Sequence, residues 1–333
     1  MKSPQPKSKN PAPELPSKVQ FVDIDADQAG QRVDNFLITR LKGVPKSRIY
    51  RLLRKGEVRV NKGRVKPETK LNAGDIIRIP PIRMAEAKPS IKPSQGLVSV
   101  LESSVLYETN ALMVVNKPSG LAVHGGSGIN LGLIEALREM RPDARFLELV
   151  HRLDRGTSGC ILIAKKRSML RHLQQAFREK SLGTAGEKGI TKIYQALVVG
   201  AWPKGRHRID KALQRHEVAG GERIVKVSAQ GKPSQTEFKV LQSYQEATLI
   251  EARPITGRTH QIRVHAQCVG HPLLGDDKYG VDELNEQAKA QGLKRLFLHA
   301  SELSFYLPES EELIVVKAPL SADLEKVLSN LKR

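Results

Sequence analysis

Cysteine is nearly absent. The two present, Cys160 and Cys268, cannot form a disulfide framework, and that scarcity points to a reducing cytoplasm. Aromatic residues are also rare, with one Trp, six Tyr and seven Phe in 333 residues, so broad base-stacking platforms of the single-strand-binding type are not expected. No run of about 18 apolar residues occurs that could span a membrane. The basic N-terminus leads into Pro-rich polar sequence and lacks the apolar stretch of a secretory signal. Neither G-x-x-x-x-G-K-S/T nor G-x-G-x-x-G is found, and the Gly125–Gly128 turn fits neither pattern. Nothing therefore calls for ATP or a dinucleotide, and no cofactor is expected.

Acid is the remaining deficit. Against 55 Lys and Arg stand 35 Asp and Glu, a formal net charge of +20. Such an excess implies a polyanionic partner, nucleic acid ahead of an anionic membrane. The charge is also concentrated. Residues 31–84 hold 15 Lys/Arg and 4 Asp/Glu, a local +11, while residues 85–333 carry only +9. Residues 1–18 contain five prolines and four lysines without an apolar period, which reads as a disordered basic tail. Residues 85–96, AEAKPSIKPSQG, have little to bury and read as a linker. The expected organisation is tail (1–18), basic unit (19–84), linker (85–96) and large domain (97–333), with no internal repeat.

The basic unit has local order. Val33, Phe36, Leu37 and Leu41 follow helical spacing. After Gly43 and Pro45, Ser47 is placed to cap a second helix with Ile49, Leu52 and Leu53 inward, ended by Gly56. Lys46, Arg48, Arg51, Arg54 and Lys55 then fall on or near its other side. Val58 and Val60 alternate before a turn at Asn61–Gly63, bringing Arg59, Lys62 and Arg64 alongside, and Ile77 and Ile79 mark a last strand. These eight cations suit the phosphate backbone of a duplex or hairpin, anchoring it more than reading its bases. The alternative is a merely solvated face, which leaves the sparse acid unexplained.

In the large domain, short strands are expected at Val105–Tyr107, Leu112–Val115, Leu147–Val150, Cys160–Ala164, Ile193–Val199, Glu237–Leu241, Ala247–Ala252, Phe297–His299 and Ser304–Tyr306. Helices are expected at Leu133–Arg138, Met169–Lys180, from Thr259, and at Ala322–Leu331. Strands dominate without regular βα alternation. The fold class is α+β: a small α/β unit, then a mixed, mainly antiparallel sheet with peripheral helices.

Two polar clusters stand out. In His151-Arg152-Leu153-Asp154-Arg155, the flanking arginines would keep Asp154 ionised, available for covalent attack or for positioning a group; a structural salt bridge is the competing account. Gly156 and Gly159 follow at once and would let another backbone approach. Arg258, His260, Arg263 and His265 form the second cluster, suited to clamping phosphate or pairing with a buried acid, or else to a solvated helix. His265, Cys268 and His271 have metal-like spacing but offer a single sulfur, so packing and hydrogen bonding are expected there and no metal site.

The run RVDNFLITRL…PKSRIYRLLRKGEVRVNKGRVKPETKLNAGDIIRI resembles an S4 domain, which implies structured RNA as partner. LMVVNKPSGLAVHGG, LVHRLDRGTSGCILIAKK, KIYQALVVG and TGRTHQIRVHAQCVGHPLLGDDKYG together resemble the RluA-type pseudouridine synthases, over nearly all of residues 100–310. That resemblance implies an isomerase that flips uridines out of RNA and needs no cofactor. It makes Asp154 the catalytic aspartate, Tyr194 the active-site tyrosine near the target base, and Arg263 the partner of the aspartate. It places Arg152 against the RNA backbone or in the space left by the flipped base, and Leu298 at the closing edge of the pocket. Arg155, Arg258 and His260 are expected to contact substrate. With the S4-like unit, the likeness is to members acting on 23S rRNA, before or during large-subunit assembly, without an obligate protein partner.

Overall fold

The computed structural model describes residues 18–26, 28–41, 43–82, 91–126, 129, 131–184, 189–217, 223–308 and 312–332. Most of the expected basic tail, the expected linker through residue 90, and part of the Gly125–Gly128 turn lie outside the described residues. The chain divides into two compact units, the second beginning at Ile91.

The first unit runs β1 (Gln20–Asp23), α1 (Val33–Arg40), α2 (Lys46–Lys55), β2 (Arg59–Val60), β3 (Gly63–Arg64) and β4 (Ile76–Ile79). Its sheet has the order β1-β4-β2-β3, with every pairing antiparallel. The apolar stripes of both helices meet its inner face: Phe36, Leu37, Ile49, Leu52 and Leu53 pack with Val58, Ile77 and Ile79. Helix α2 starts one residue before Ser47, which does not cap it. Pro45 is the N-cap, and its carbonyl accepts the Arg48 and Ile49 N–H groups at 2.9 and 3.2 Å. A proline fits at that boundary because it has no N–H to satisfy. Gly56 ends the helix at φ +69°, a left-handed turn that favours glycine, with the side chain of exposed Arg64 lying close by. Asn61 and Lys62, both at positive φ, make the two-residue turn that joins β2 to β3.

The second unit opens with α3 (Gln95–Ser103), capped by the Ser94 side chain on Leu97 N–H, so the expected linker is already helical at residues 95–96. There follow β5 (Val105–Glu108), β6 (Leu112–Lys117), α4 (Leu133–Met140), β7 (Glu148–Leu149), β8 (Ser158–Ala164), α5 (Arg167–Leu182), β9 (Thr191–Val199), β10 (Arg206–Asp210), β11 (Leu213–Glu217) and β12 (Arg223–Val227). The chain continues with β13 (Gln235–Ser243), β14 (Ala247–Pro254), α6 (Gln261–Cys268), α7 (Asp282–Ala290), β15 (Leu298–Tyr306), β16 (Leu313–Lys317) and α8 (Ala322–Asn330).

The main sheet has the order β10-β13-β14-β9-β15-β8-β6-β5, with β16 added on β15 and β7 on β8; β11 and β12 form a separate ribbon. Only the β15–β8 pairing is parallel among the described residues. Every residue of β8 is buried, because both sheet faces are covered. Ile161 and Ile163 pack with Leu133 and Leu137 of α4, whereas Leu162 and Ala164 pack with Met169 and Leu173 of α5. Two expected strands, Phe297–His299 and Ser304–Tyr306, are one strand with a register shift between His299 and Glu302. No helix of the described residues is long and apolar enough to cross a membrane.

Candidate active site

Asp154 lies on the loop between β7 and β8, and the protein holds that loop by its backbone. Lys117, fully buried at the end of β6, donates to the carbonyls of Pro118 and Leu121 at 2.8 Å and of Arg155 at 3.3 Å. Burial pushes its pKa down to about 7, and the nearby Arg295 charge acts the same way. Gly120 N–H donates to Arg155 O and Arg155 Nε to Gly120 O, while Ser119 Oγ donates to Gly156 O. At the loop entrance, His151 Nε2 accepts Leu162 N–H, and burial drives the imidazole down to about 3, so it stays neutral. The close approach expected of the glycines is realised at Gly159, where an added Cβ would sit 2.2 Å from Ala300 O in the parallel β8–β15 pairing. Gly156 meets only ordinary contact from Leu296.

Arg152 and Arg155 do not hold Asp154 as expected. Both are exposed, and Arg155 is occupied by Gly120 O. The groups facing the Asp154 carboxylate come from 106 and 109 residues further on: His260 Nε2 at 3.7 Å and Arg263 Nη1 at 3.8 Å from Oδ2. A charged loop residue cannot be locked by exposed neighbours that water screens equally well.

The turn before α6 is built around one amide. Gln261 Oε1 accepts Arg258 N–H at 3.0 Å and Thr256 Oγ1–H at 2.7 Å, and its Nε2 donates to Gln235 O and Thr236 Oγ1 at 2.8 and 2.9 Å. With every hydrogen-bonding position of the side chain used, the turn has one geometry. The helix therefore begins at Gln261, not Thr259, and His260 precedes it at φ +53°. Far from being a solvated helix, α6 is buried from Gln261 through Ala266.

Arg263 makes a bidentate pair with Asp276, Nε to Oδ2 at 2.7 Å and Nη2 to Oδ1 at 2.6 Å, and its guanidinium lies 4.9 Å from the centre of the Tyr279 ring. Burial opposes both charges, but the hydrogen bonds and mutual attraction win. Asp276 is held below the usual carboxylate value, helped by the Tyr279 and Lys278 N–H groups, and Arg263 is held above its usual value. Tyr279 Oη accepts Val225 N–H at 2.9 Å, which leaves its own proton for His260 Nδ1 at 2.7 Å. His260 Nε2 thus carries the ring hydrogen toward Asp154. Burial lowers the His260 pKa, with the Asp154 charge acting against it, so the ring is neutral at pH 7.

Tyr194 and Lys192 alternate along β9 onto one face and line the same cavity as Asp154, together with Arg152, Arg258, His260, Arg263 and Leu298. Burial, followed by the charge of Asp154, raises the Tyr194 phenol well above its ordinary value, so it is a neutral ring with an O–H group. Leu298 opens β15, buried, opposite Ala196. Arg258 donates Nε to Pro233 O at 3.1 Å. Arg155 is outside this cavity and lines the wider groove on the other side of Asp154. The anchoring cations expected in the first unit are exposed along α2, β2 and β3, apart from half-buried Arg48.

Sequence reasoning missed Asp276, Tyr279 and Lys117 as parts of the site. The stretches GDDKYG and NKPSG carried them, but nothing local says which acid meets Arg263. The His265 ring is hydrogen-bonded to Lys211 O, Ser234 Oγ and Thr236 Oγ1, and His271 Nδ1 meets Val199 O, which occupies the metal-like spacing with hydrogen bonds.

A family model described as RNA pseudouridylate synthase matches residues 111–268, and one described as S4 domain matches residues 31–77. Ribosomal large subunit pseudouridine synthase C of Pasteurella multocida (strain Pm70) is 54% identical over 315 residues, 94% of this chain and 94% of its own length. The protein of the same name from Escherichia coli (strain K12) is 53% identical over 322 residues, 96% of this chain and 98% of its own. Among solved structures, Human RNA Pseudouridylate Synthase Domain Containing 1 superposes with a TM-score of 0.57 at 28% identity, covering 73% of this chain and 91% of that one. With half its residues identical to these enzymes over almost its whole length, the chain belongs to the RluA family of RNA pseudouridylate synthases and carries an S4 domain ahead of the isomerase fold.

Proposed function

We propose that this enzyme converts particular uridines of 23S rRNA to pseudouridine in the cytoplasm, with Asp154 as the essential carboxylate. The observation that carries the reading is the similarity, over 94–96% of the chain, to enzymes named for the large ribosomal subunit. The site geometry supports the chemistry. A stacked, paired uridine hides both C1′ and C5, so it must leave the helix, at an unstacking cost of a few kcal/mol that phosphate contacts offset. The N1–C1′ bond then breaks, the uracil turns, C5 bonds to C1′, and C5 gives up its proton while the freed N1 takes one up. Attack by Asp154 on ribose or base, and abstraction of the ribose 2′ proton, ask the same of the protein: an ionised carboxylate held in place. Arg263 Nη1 and the neutral His260 ring supply that hold, at 3.8 and 3.7 Å. Tyr194 offers a ring face to the flipped base, Leu298 closes the cavity, and Arg152, Arg155 and Arg258 meet the strand. The exposed cations of the S4 domain anchor structured RNA.

The test compares 23S, 16S and tRNA transcripts as substrates, reading pseudouridine by carbodiimide-dependent primer stops. Modification confined to 23S transcript, at sites that lose pseudouridine in a deletion strain, is expected. Equal or preferential tRNA modification would overturn the substrate assignment.

A further inference from the structure

A second cavity, of about 560 Å³, adjoins the catalytic one between α5 and the end of β14. Five cations line it: Lys180 from the last turn of α5, Arg178 beside it, Lys192 of β9, Arg152 and Arg258. No carboxylate is among the described residues of its lining. The walls are shared, because Arg152, Lys192 and Arg258 face both cavities. Lys180 is the unusual member. It is 9% exposed, and among the described residues its Nζ has no hydrogen-bond partner. Burial, and then the charges of Lys192 and Arg253, push its pKa down to about 7, with Glu237 acting the other way. Glu237 is itself 3.9 Å from Arg253. A buried ammonium without a partner is strongly unfavourable, and an arriving anion removes that penalty. Lys192 Nζ rests 5.2 Å from the centre of the Phe177 ring, which holds one cation against the floor of the cavity.

We propose that this cavity seats a phosphate group, supplied by the RNA backbone beside the target uridine, with Lys180 as its buried contact. The assignment rests on the functional reading above for the identity of the strand. One wall separates the two cavities, so a nucleotide flipped toward Asp154 carries its neighbouring phosphate to the Lys180 side. The contact adds to affinity and positions the strand; it touches no reacting atom.

The test uses the full-length chain, with Lys180→Met to remove the charge at similar size, Lys180→Arg to keep it, and exposed Arg178→Ala as a variant that spares the core. Inorganic phosphate at fixed ionic strength should raise the Tm of the wild type more than chloride does, and Lys180→Met should lose that difference. For the 23S transcript, Lys180→Met should raise Kd and KM about tenfold, as for loss of one charge-assisted hydrogen bond, with kcat within about twofold. Its salt slope should shrink by about 0.7–0.9 for one phosphate. Lys180→Arg should retain most of the affinity, and Arg178→Ala should lose a smaller part of it. Loss of the phosphate effect with unchanged RNA affinity would overturn RNA as the source. Unchanged behaviour of both Lys180→Met and Arg178→Ala in every arm overturns the site. The Kd and Tm arms involve no turnover, so a wild-type chain that forms no pseudouridine would sink only the functional reading.

Discussion

Arg263 gives Asp276 two hydrogen bonds, at 2.7 and 2.6 Å, and turns its remaining Nη1 toward Asp154 at 3.8 Å. One guanidinium thus faces the buried Asp276 and the cavity-lining Asp154, with exposed Asp277 also 3.6 Å from its Nη2. Asp276 is fully buried and takes the fork of the arginine, which fixes the plane of the group. Asp154 borders the cavity and receives the leftover edge as charge. Asp276 is therefore a positioning residue, acting on Asp154 through Arg263.

Removing one partner of a buried pair leaves the other charge uncompensated, so Asp276→Asn should lower unfolding free energy by roughly 3–5 kcal/mol. Urea denaturation across pH gives a second signature. The folded-state pKa of Asp276 is depressed, so its stabilisation is present above the unfolded value of about 3.9 and is lost as pH falls through the lower, folded value. Asp276→Asn should lack that acid limb. A variant with wild-type stability at pH 7 would contradict the pairing.

Asp154→Ala should cut turnover by about 10³-fold or more while RNA affinity stays within a few-fold. Release of tritium from RNA carrying 5-tritiated uridine reads the C5 proton loss directly. Turnover near that of the wild type would remove Asp154 from the chemistry.

Buried lysines make stability depend on pH in the opposite sense from an exposed pair of charges at the surface: their charged form is the penalised one. Lys117 and Lys180 both titrate at about 7 in the folded chain, well below 10.5, because burial penalises their charge. Above pH 7 the unfolded chain binds more protons at these sites, so stability should rise with pH, by up to about 1.4 kcal/mol per pH unit for each group. The slope falls near pH 9. There the unfolded chain begins to ionise Cys160, whose folded thiol is pushed up to about 12 by burial, and that proton offsets one lysine, so the rise is shallower without reversing. Lys180→Met should reduce the slope between pH 7 and 8.5 by about one proton; an unchanged slope would place Lys180 in contact with water.

Arg51 and Arg54 are exposed on α2, where single surface changes shift stability by no more than about 0.5 kcal/mol. The double change Arg51→Ala/Arg54→Ala should leave the Tm nearly unaltered. It should weaken binding of the 23S transcript and reduce the salt slope by about 0.7–0.9 for each phosphate no longer neutralised, in filter binding across a potassium chloride series. An unaltered slope would show that these arginines do not neutralise phosphate.

Much of the S4 domain could be read from neighbours in sequence. The spacing of Ile49, Leu52 and Leu53, the glycine at 56 and the Asn61–Lys62 turn each follow from interactions within a few residues, and α2 and the β2–β3 hairpin form where expected. Strand β1 escaped because Gln20–Asp23 is four residues long and leaves Phe21 exposed. Helix α7 escaped because Ala288 is its only buried residue, too little for an apolar period. The two halves of β15 looked like separate strands because the register shift at His299 interrupts the alternation.

In the site, the family resemblance carried by the motifs nominates Asp154, Tyr194 and Arg263, and the fold brings all three to one cavity. The partners of those residues were another matter. Arg152 and Arg155 adjoin Asp154 in the chain, yet both are exposed and screened; the groups that face it arrive from α6, across the sheet. Asp276 is 13 residues from Arg263, beyond any helical or strand repeat, and Lys117 reaches Arg155 O across 38 residues. Local periodicity reports which face of an element is apolar, because that depends on side chains a few residues apart. Which charge meets which is settled by how the sheet order β9-β15-β8 brings distant segments together in a buried place, where a pair is strong and an unpaired charge is not tolerated.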